Sequence, residues 1–369
     1  MRPSRPMRGS LALGPLFLCL ACSSAPQGSP GDDAGAPIDS ASPDAPGKSD
    51  GATPPSDGGT TGNGIPSGWL YTQGASLYLS DGTTGTKWMG RGVNVDDVFF
   101  CGYNNSLWMN DPQSALATLW AHLMSEWNPS FVRISLGMNS FTVTSWTSGD
   151  PSTYKTPMTN VIDSLTGAGA YVLVTLRSDT SMTKNGSDDA TCLPTNATDD
   201  TYRAIVDTFA TSSHVLFGVS NEPGGNTLSN QTIRDAMDHA VSVIRAEEDK
   251  LGAPHHIVSV QGNDWTSDIS FYASSPLSYD DVVYEVHGYP PPASSYTYAN
   301  IPVIIGEYGD LPDANAFFAD LEAKGIPNLA WDFDSYSDCT PDLLTVNQSS
   351  SNLVPTAWGS TVKAYLLQH

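Results

Sequence analysis

The sequence predicts an α/β fold, a (β/α)8 TIM barrel with an N-terminal β-hairpin, preceded by a disordered linker. Two observations lead there. Eight short runs rich in Val, Ile, Leu and Tyr recur from Gly92 onward, and they are near-continuously apolar, as strands buried on both faces are. Longer helix-like stretches separate them, and eight such alternations over roughly 300 residues match a closed barrel with insertions.

The expected strands are Gly92–Val95, Phe131–Leu136, Tyr171–Leu176, Val215–Ser220, His256–Val260, Val282–Val286, Val303–Ile305 and Asn328–Trp331. The expected helices are Asp111–Trp127, Thr156–Gly167, Asp200–Thr211, Ser229–Leu251 and Asp313–Lys324. Asp111 is placed to cap the first of them, with Pro112 at its first helical position. A doubly wound open sheet is the alternative, but its dinucleotide-binding form needs Gly-x-Gly-x-x-Gly after a strand, and none is present. Before the barrel, Leu77-Tyr78-Leu79 and Lys87-Trp88-Met89 flank the turn-rich Asp81-Gly82-Thr83-Thr84-Gly85. They read as a hairpin that closes the barrel bottom.

The chain divides into three expected segments: 1–22, 23–65 and 66–369. Arg2, Arg5 and Arg8 precede an apolar stretch, Leu11–Ala21, that is too short to span a bilayer. This reads as a signal peptide of lipoprotein type, with Cys22 as the lipidated residue. Ordinary cleavage and secretion is the alternative. Residues 23–65 are dominated by Ser, Pro, Gly, Ala, Asp and Thr and cannot bury enough apolar surface to order themselves. The expected location is therefore secreted or cell-surface. Any membrane contact would run through an N-terminal lipid anchor at Cys22. Past it, Cys101, Cys192 and Cys339 allow one disulfide and one free thiol, and the spacing does not select the pair.

The 369 residues carry 16 Lys and Arg against 39 Asp and Glu, a formal net charge of -23. A nucleic-acid partner needs clustered basic residues, so none is expected. An acidic balance suits an extracellular protein acting on an uncharged substrate.

In such barrels the reacting groups stand at the C-terminal ends of the strands. Asn221-Glu222-Pro223 follows the fourth expected strand, and Gly306-Glu307-Tyr308-Gly309 follows the seventh. Glycoside cleavage uses such a pair of carboxyls, one protonating the departing oxygen and one acting on the sugar. Those roles call for opposite settings, one pKa raised and one low. Arg133 sits inside an apolar run, and a buried guanidinium needs a carboxylate partner. His287 and Tyr289 follow the sixth strand, and Trp331 ends the eighth, where an indole can stack on a sugar face or fill the core. Trp108, Trp146 and Trp265 lie in connections after strands one, two and five. No His-x-His or His/Asp cluster marks a metal site, and no organic cofactor is expected.

The ordered set Arg-Gly-Val-Asn (91–94), Val-Arg-Ile (132–134), Asn-Glu-Pro (221–223), His-Gly-Tyr (287–289), Gly-Glu-Tyr-Gly (306–309) and Trp331 resembles glycoside hydrolase family five. That family includes cellulases and mannanases, and the likeness runs from 66 to 369. It extends to Pro355-Thr356-Ala357-Trp358-Gly359 before the last helix. The resemblance implies a retaining enzyme with Glu222 as acid/base and Glu307 as nucleophile. It implies Asn221 on the sugar 2-hydroxyl, Arg133 and Tyr289 on the nucleophile, His287 beside the acid/base, and Trp331 flooring the cleaved sugar's subsite. The implied substrate is a β-linked polysaccharide or oligosaccharide, β-1,4-glucan before mannan. A non-catalytic carbohydrate-binding surface lipoprotein is the alternative of another class. One departure stands out: Arg177, in Leu176-Arg177-Ser178-Asp179, occupies a place where family members usually carry His.

Overall fold

A computed structural model describes residues 64–95, 114–137, 155–177, 193–196, 198–223, 228–289, 296–333, 341–345 and 353–369. The signal peptide and most of the linker lie outside these residues. So do Cys101, Cys192, Cys339, Asp111, Pro112, Trp108 and Trp146, and the side chain of Arg177.

Eight parallel strands close into a barrel in chain order. They are β4 (Arg91–Val95), β5 (Phe131–Gly137), β6 (Tyr171–Arg177), β7 (Val215–Gly218), β8 (Val258–Val260), β9 (Val282–Gly288), β10 (Val303–Tyr308) and β11 (Asn328–Ala330), which pairs back to β4. Described helices are α1 (Ser114–His122), α2 (Lys155–Gly167), α3 (Asp199–Phe209), α4 (Asn230–Leu251), α5 (Ser270–Ser274), α6 (Ala314–Lys324) and α7 (Ala357–Leu366). The eight expected strands are all present. β9 and β10 run two and three residues further than their apolar cores, through the polar residues of the site. The helix expected to reach Trp127 stops at His122 and finishes as one π-helical turn, Leu123–Trp127.

The helices end where their chemistry dictates. Ser229 caps α4, its hydroxyl accepting from the Thr232 N–H, and Asp313 caps α6 by accepting from that of Ala316. Thr356 does the same for α7 through Gly359.

The hairpin is a three-stranded antiparallel sheet, β1 (Leu70–Gln73), β2 (Ser76–Ser80) and β3 (Gly85–Lys87). Its first strand has only four residues and little periodicity to reveal it. Leu70, Leu77 and Trp88 pack against inward side chains near the strand N-termini, among them Phe131, Leu173, Leu216, Val283 and Leu329. Trp88 meets Phe131 and Tyr171 edge-on, each at 5.2 Å between centroids. This apolar plug fills one end of the barrel. At Gly92, a methyl group would stand 1.5 Å from the Phe131 carbonyl oxygen, so only glycine lets β4 and β5 approach there.

Trp88 is the keystone of the plug. Trp88→Ala is expected to cost about 3–5 kcal/mol. The check is the urea midpoint, which should fall with an unchanged slope.

Candidate active site

Side chains alternate along a strand, so the positions sharing the inward face with Phe131, Leu173, Ile257 and Val283 follow at every second residue. On β4 the inward residue is Asn94; on β5, Arg133; on β8, Ser259, with Gln261 one residue past its end; on β9, Glu285 and then His287. Above the apolar plug, the barrel interior therefore turns polar.

β10 breaks this alternation, and the break creates the site. Ile304 faces inward with the plug, so strict alternation would turn position 306 inward and Glu307 outward. Position 306 is a glycine, and the pairing register shifts between Ile305 and Glu307 against β9. A second irregularity falls between Ile305 and Tyr308 against β11. The bulge turns Glu307 into the barrel and Tyr308 out among the helices, where Phe317 and Trp358 contact it.

Glu222 reaches the same space from beyond β7. Its backbone lies in the left-handed region at φ 49°, which is uncommon for a residue other than glycine, asparagine or aspartate. Gln261 Oε1 accepts the Glu222 N–H at 2.5 Å and the Thr266 hydroxyl at 3.1 Å, fixing the strained turn from the neighbouring strand.

Arg133 joins the groups. It is fully buried. Nη1 donates to Glu307 Oε1 at 2.8 Å and to Asn94 Oδ1 at 2.9 Å, and Nη2 donates to Asn221 Oδ1 at 2.6 Å. Nε stands 2.9 Å from Glu285 Oε1, an ion pair by distance though off the hydrogen-bonding line. Tyr289 shows part of its ring to solvent, while its hydroxyl turns inward and donates to Glu307 Oε2 at 2.9 Å. His287 Nδ1 lies 3.0 Å from Glu222 Oε1 and 3.4 Å from Glu307 Oε1, and Nε2 lies 2.8 Å from Glu285 Oε1. One carboxylate oxygen each from Glu222 and Glu307 and one His287 nitrogen all fall within 4.8 Å of one another.

Trp331 is half-buried just past β11. Its N–H donates to the Tyr308 carbonyl at 2.8 Å, and its carbonyl accepts from Trp358 Nε1 at 3.1 Å, so α7 braces it. Trp265 is about half exposed beyond β8. Two residues of the network, Gln261 and Glu285, were not singled out in the sequence, and Asn94 stood in the Arg-Gly-Val-Asn motif without a role. Glu285 carried the same signal as Arg133, a charge inside an apolar run. Gln261 is uncharged and left no such mark.

The electrostatics follow from burial and pairing. Burial disfavours an ionised Glu285, yet Arg133 and His287 outweigh it and hold the carboxyl down at about 2. Burial likewise opposes charge on His287, but Glu307, Glu222 and Glu285 push its pKa up to about 9. Burial raises Glu307 above the ordinary carboxyl value, aided by the Glu222 charge and opposed by His287 and Arg133. A low setting was expected for one of the two carboxyls; at Glu307 desolvation is the largest influence and acts the other way. Desolvation of its hydroxyl, then the charges of Glu307 and Glu222, keep Tyr289 protonated far above its usual range. Glu222, His287 and Glu307 lie close enough for a cation to bridge them, but a protonated imidazole has no lone pair on either nitrogen to give.

The profile of the cellulase family, glycosyl hydrolase family 5, matches residues 90–337, and every group described above from Arg91 to Trp331 falls inside the match. The chain belongs to glycosyl hydrolase family 5. An endoglucanase of Clostridium saccharobutylicum is 26% identical to this family 5 chain over 88 residues, 24% of the chain and 18% of that protein. An endoglucanase of Neurospora crassa, gh5-1, is 27% identical over 163 residues, 42% of the chain and 39% of that protein. The chain thus aligns with less than half the length of either curated relative. Among solved structures, the β-glucanase SdGluc5_26A of Saccharophagus degradans, in complex with cellotetraose, superposes with a TM-score of 0.62 at 18% identity, covering 81% of this chain and 93% of that one. A β-mannanase of Streptomyces thermolilacinus superposes with a TM-score of 0.59 at 20% identity, covering 82% and 97%. At these identities the likeness is one of fold.

Two opposed titrations set an expected stability profile. Glu285 goes from an ordinary 4.5 to about 2 on folding, so its contribution is complete above 4.5 and fades as pH falls toward 2. His287 goes from 6.5 to about 9, so its contribution is complete below 6.5 and fades as pH rises toward 9. Urea midpoints taken across this range should peak toward the acid side of the window between the two ordinary values, because the raised Glu307 begins to cost stability above 4.5, and should decline on both sides. Stability still climbing through the alkaline half would contradict a charged His287.

Proposed function

We propose that this chain is a retaining glycoside hydrolase that cleaves a β-1,4-linked glucan within the chain, by double displacement. The observation that carries the proposal is the gap between Glu222 and Glu307, whose facing oxygens lie within 4.8 Å. Retaining enzymes hold their carboxyls about 5–5.5 Å apart, whereas inverting ones leave about 6.5–9.5 Å for a water molecule.

In this reading Glu222 protonates the glycosidic oxygen while Glu307 attacks the anomeric carbon. Glu222 then takes a proton from water, which releases the sugar from Glu307 with its configuration kept. Arg133 and the Tyr289 hydroxyl grip one Glu307 oxygen each, which fixes the carboxylate and favours its ionised form against burial. Arg133 holds Asn221 by its Oδ1, which fixes the amide and leaves its N–H free to donate to a sugar 2-hydroxyl. Trp331, braced by Trp358, would floor the cleaved sugar. No step calls for a metal or organic cofactor.

The names of the two curated relatives favour endo action on glucan, and the mannanase among the structural neighbours makes β-mannan the second substrate to try. The proposed setting is the cell exterior, with the acidic, Pro- and Ser-rich stretch before the barrel acting as a spacer from an anchor at Cys22 or from a cleaved N-terminus.

A panel of β-glucans and β-mannans with product analysis tests the substrate, and proton NMR of the first anomer released tests retention. Glu222→Gln should lose about 10²–10⁴ in rate on a substrate with a poor leaving group. Glu307→Ala should lose at least as much, with circular dichroism unchanged in both. Near-normal turnover by either variant would remove the assignment. Binding without turnover across the panel would favour a carbohydrate-binding protein instead.

A further inference from the structure

Below Glu222 and Glu307 lies a third carboxylate that double displacement does not use. Glu285 is fully buried on β9, one inward position beneath His287. Its Oε1 faces His287 Nε2 at 2.8 Å and Arg133 Nε at 2.9 Å, and its Oε2 accepts from the Ser259 hydroxyl at 2.7 Å. A methyl group on Gly306 would stand 2.1 Å from Oε1, so the bulge that turns Glu307 inward also leaves the space Glu285 fills. A carboxylate in the middle of a barrel opposes folding unless it is compensated, and here the charged partners that compensate it belong to the site above.

His287 shows what the arrangement does. The ring stands between carboxylates, with Nδ1 toward Glu222 and Glu307 and Nε2 toward Glu285. A neutral imidazole has one N–H to share between the two sides. The Gln261 amide nitrogen also lies 3.5 Å from Nε2, but that is too long to compete with a carboxylate at 2.8 Å. An ionised Glu285 keeps a proton on Nε2 whether the ring is charged or neutral. Each gain or loss of a proton then falls on Nδ1, the nitrogen that meets Glu222.

We propose that Glu285 is a positioning residue: it fixes a proton on His287 Nε2, so that Nδ1 is the side offered to Glu222, and it anchors Arg133 where that side chain reaches Glu307. The inference rests on the reading of Glu222 as acid/base. It follows the logic of a carboxylate that orients an imidazole toward a reacting group. The groups facing the ring come from several elements. Glu222 reaches it from beyond β7, Glu307 from β10, and Glu285 from its own strand. Arg133 on β5 acts through Glu285 and Glu307. Ser259 on β8 and Gln261 just past it are neutral. Tyr289 faces Glu307 and feels the charge of Asp332. Among the ionised neighbours, removing Glu285 takes away the one on the Nε2 side.

The test uses the full chain with ¹⁵N-labelled histidine, following the His287 ring nitrogens by NMR across roughly pH 5–10, alongside the pH profile of kcat and KM. In the wild type, Nε2 should stay protonated and Nδ1 alone should titrate. In Glu285→Gln, the ring should titrate lower by about 1–3 pH units, and the alkaline limb of kcat should move down with it. KM should change less than kcat. Glu285→Asp, which keeps the charge, should recover most of the shift. A wild-type neutral ring protonated on Nδ1 overturns the proposal, as does a folded Glu285→Gln with an unmoved profile. If that variant does not fold, the wild-type tautomer still decides. The tautomer needs no turnover to be read, so a chain inactive on every glycan would defeat the glycosidase reading while the NMR result separately judged Glu285.

Discussion

A guanidinium with no surface exposed to water stands in the middle of this barrel, and the site is arranged around its charge. Arg133 on β5 reaches Asn94 on β4, Asn221 beyond β7, Glu285 on β9 and Glu307 on β10. One side chain thus ties together groups from β4, β9, β10 and the segment just beyond β7. Its five donors in a rigid fork suit this task in a way a lysine could not match. The arrangement is close to all-or-none. Without Arg133, Glu285 and Glu307 would share a buried space with His287 as their one cationic partner, and losing one partner of a buried pair typically costs about 3–5 kcal/mol.

The charge count explains the protonation of the neighbours. Three carboxylates, Glu222, Glu285 and Glu307, face one permanent cation. Desolvation pushes every ionised group toward neutrality, but His287 can answer the excess negative charge by taking a proton, and its pKa rises to about 9. With the ring charged, two cations face three carboxylates. One net negative charge remains, and Glu307, raised by burial and by the charge of Glu222, is the carboxyl that feels it most. The electrostatics of the buried layer and the chemistry proposed at its rim are therefore one balance.

The barrel was legible because parallel strands buried on both faces write themselves as apolar runs, and the eight runs from Gly92 to Trp331 did so. What failed to show was local geometry. Leu70–Gln73 and Ser270–Ser274 are too short to carry a period, and nothing in Leu123–Trp127 announces a π-turn. Asn221, Glu222, His287, Tyr289, Glu307 and Trp331, singled out in the sequence, lie at or just past the C-terminal ends of their strands, while Arg133, third in β5, reaches up to them from below. Arg133, Asn221, Glu222, His287, Tyr289 and Glu307 form one bonded network, with Trp331 at the same rim. The bulge at Gly306 was invisible, although it decides which way Glu307 points. An alternation read straight through β10 would have sent that side chain outward. Glu285 was hidden for a different reason: a residue buried to orient another has no exposed or motif-like signature, only the anomaly of a charge among valines.

The two ends of the barrel divide stability from chemistry. The plug of Leu70, Leu77 and Trp88 under the strand N-termini is wholly apolar and tightly packed, down to a glycine that admits no methyl. The upper end holds a left-handed glutamate, a bulged strand and a cluster of ionisable side chains largely withdrawn from solvent. Each of those features is unfavourable alone and persists only where surrounding structure over-determines it. Gln261 illustrates the means. It commits its carbonyl to the Glu222 amide and the Thr266 hydroxyl, so the strained Glu222 backbone is held by the residue just past β8 rather than by its own loop. A rigid lower half lets strain be stored in the upper half without spreading, because strands closed into a barrel cannot shift singly. The hairpin is therefore part of the site's physics, though it lies at the far end of the strands from either carboxylate.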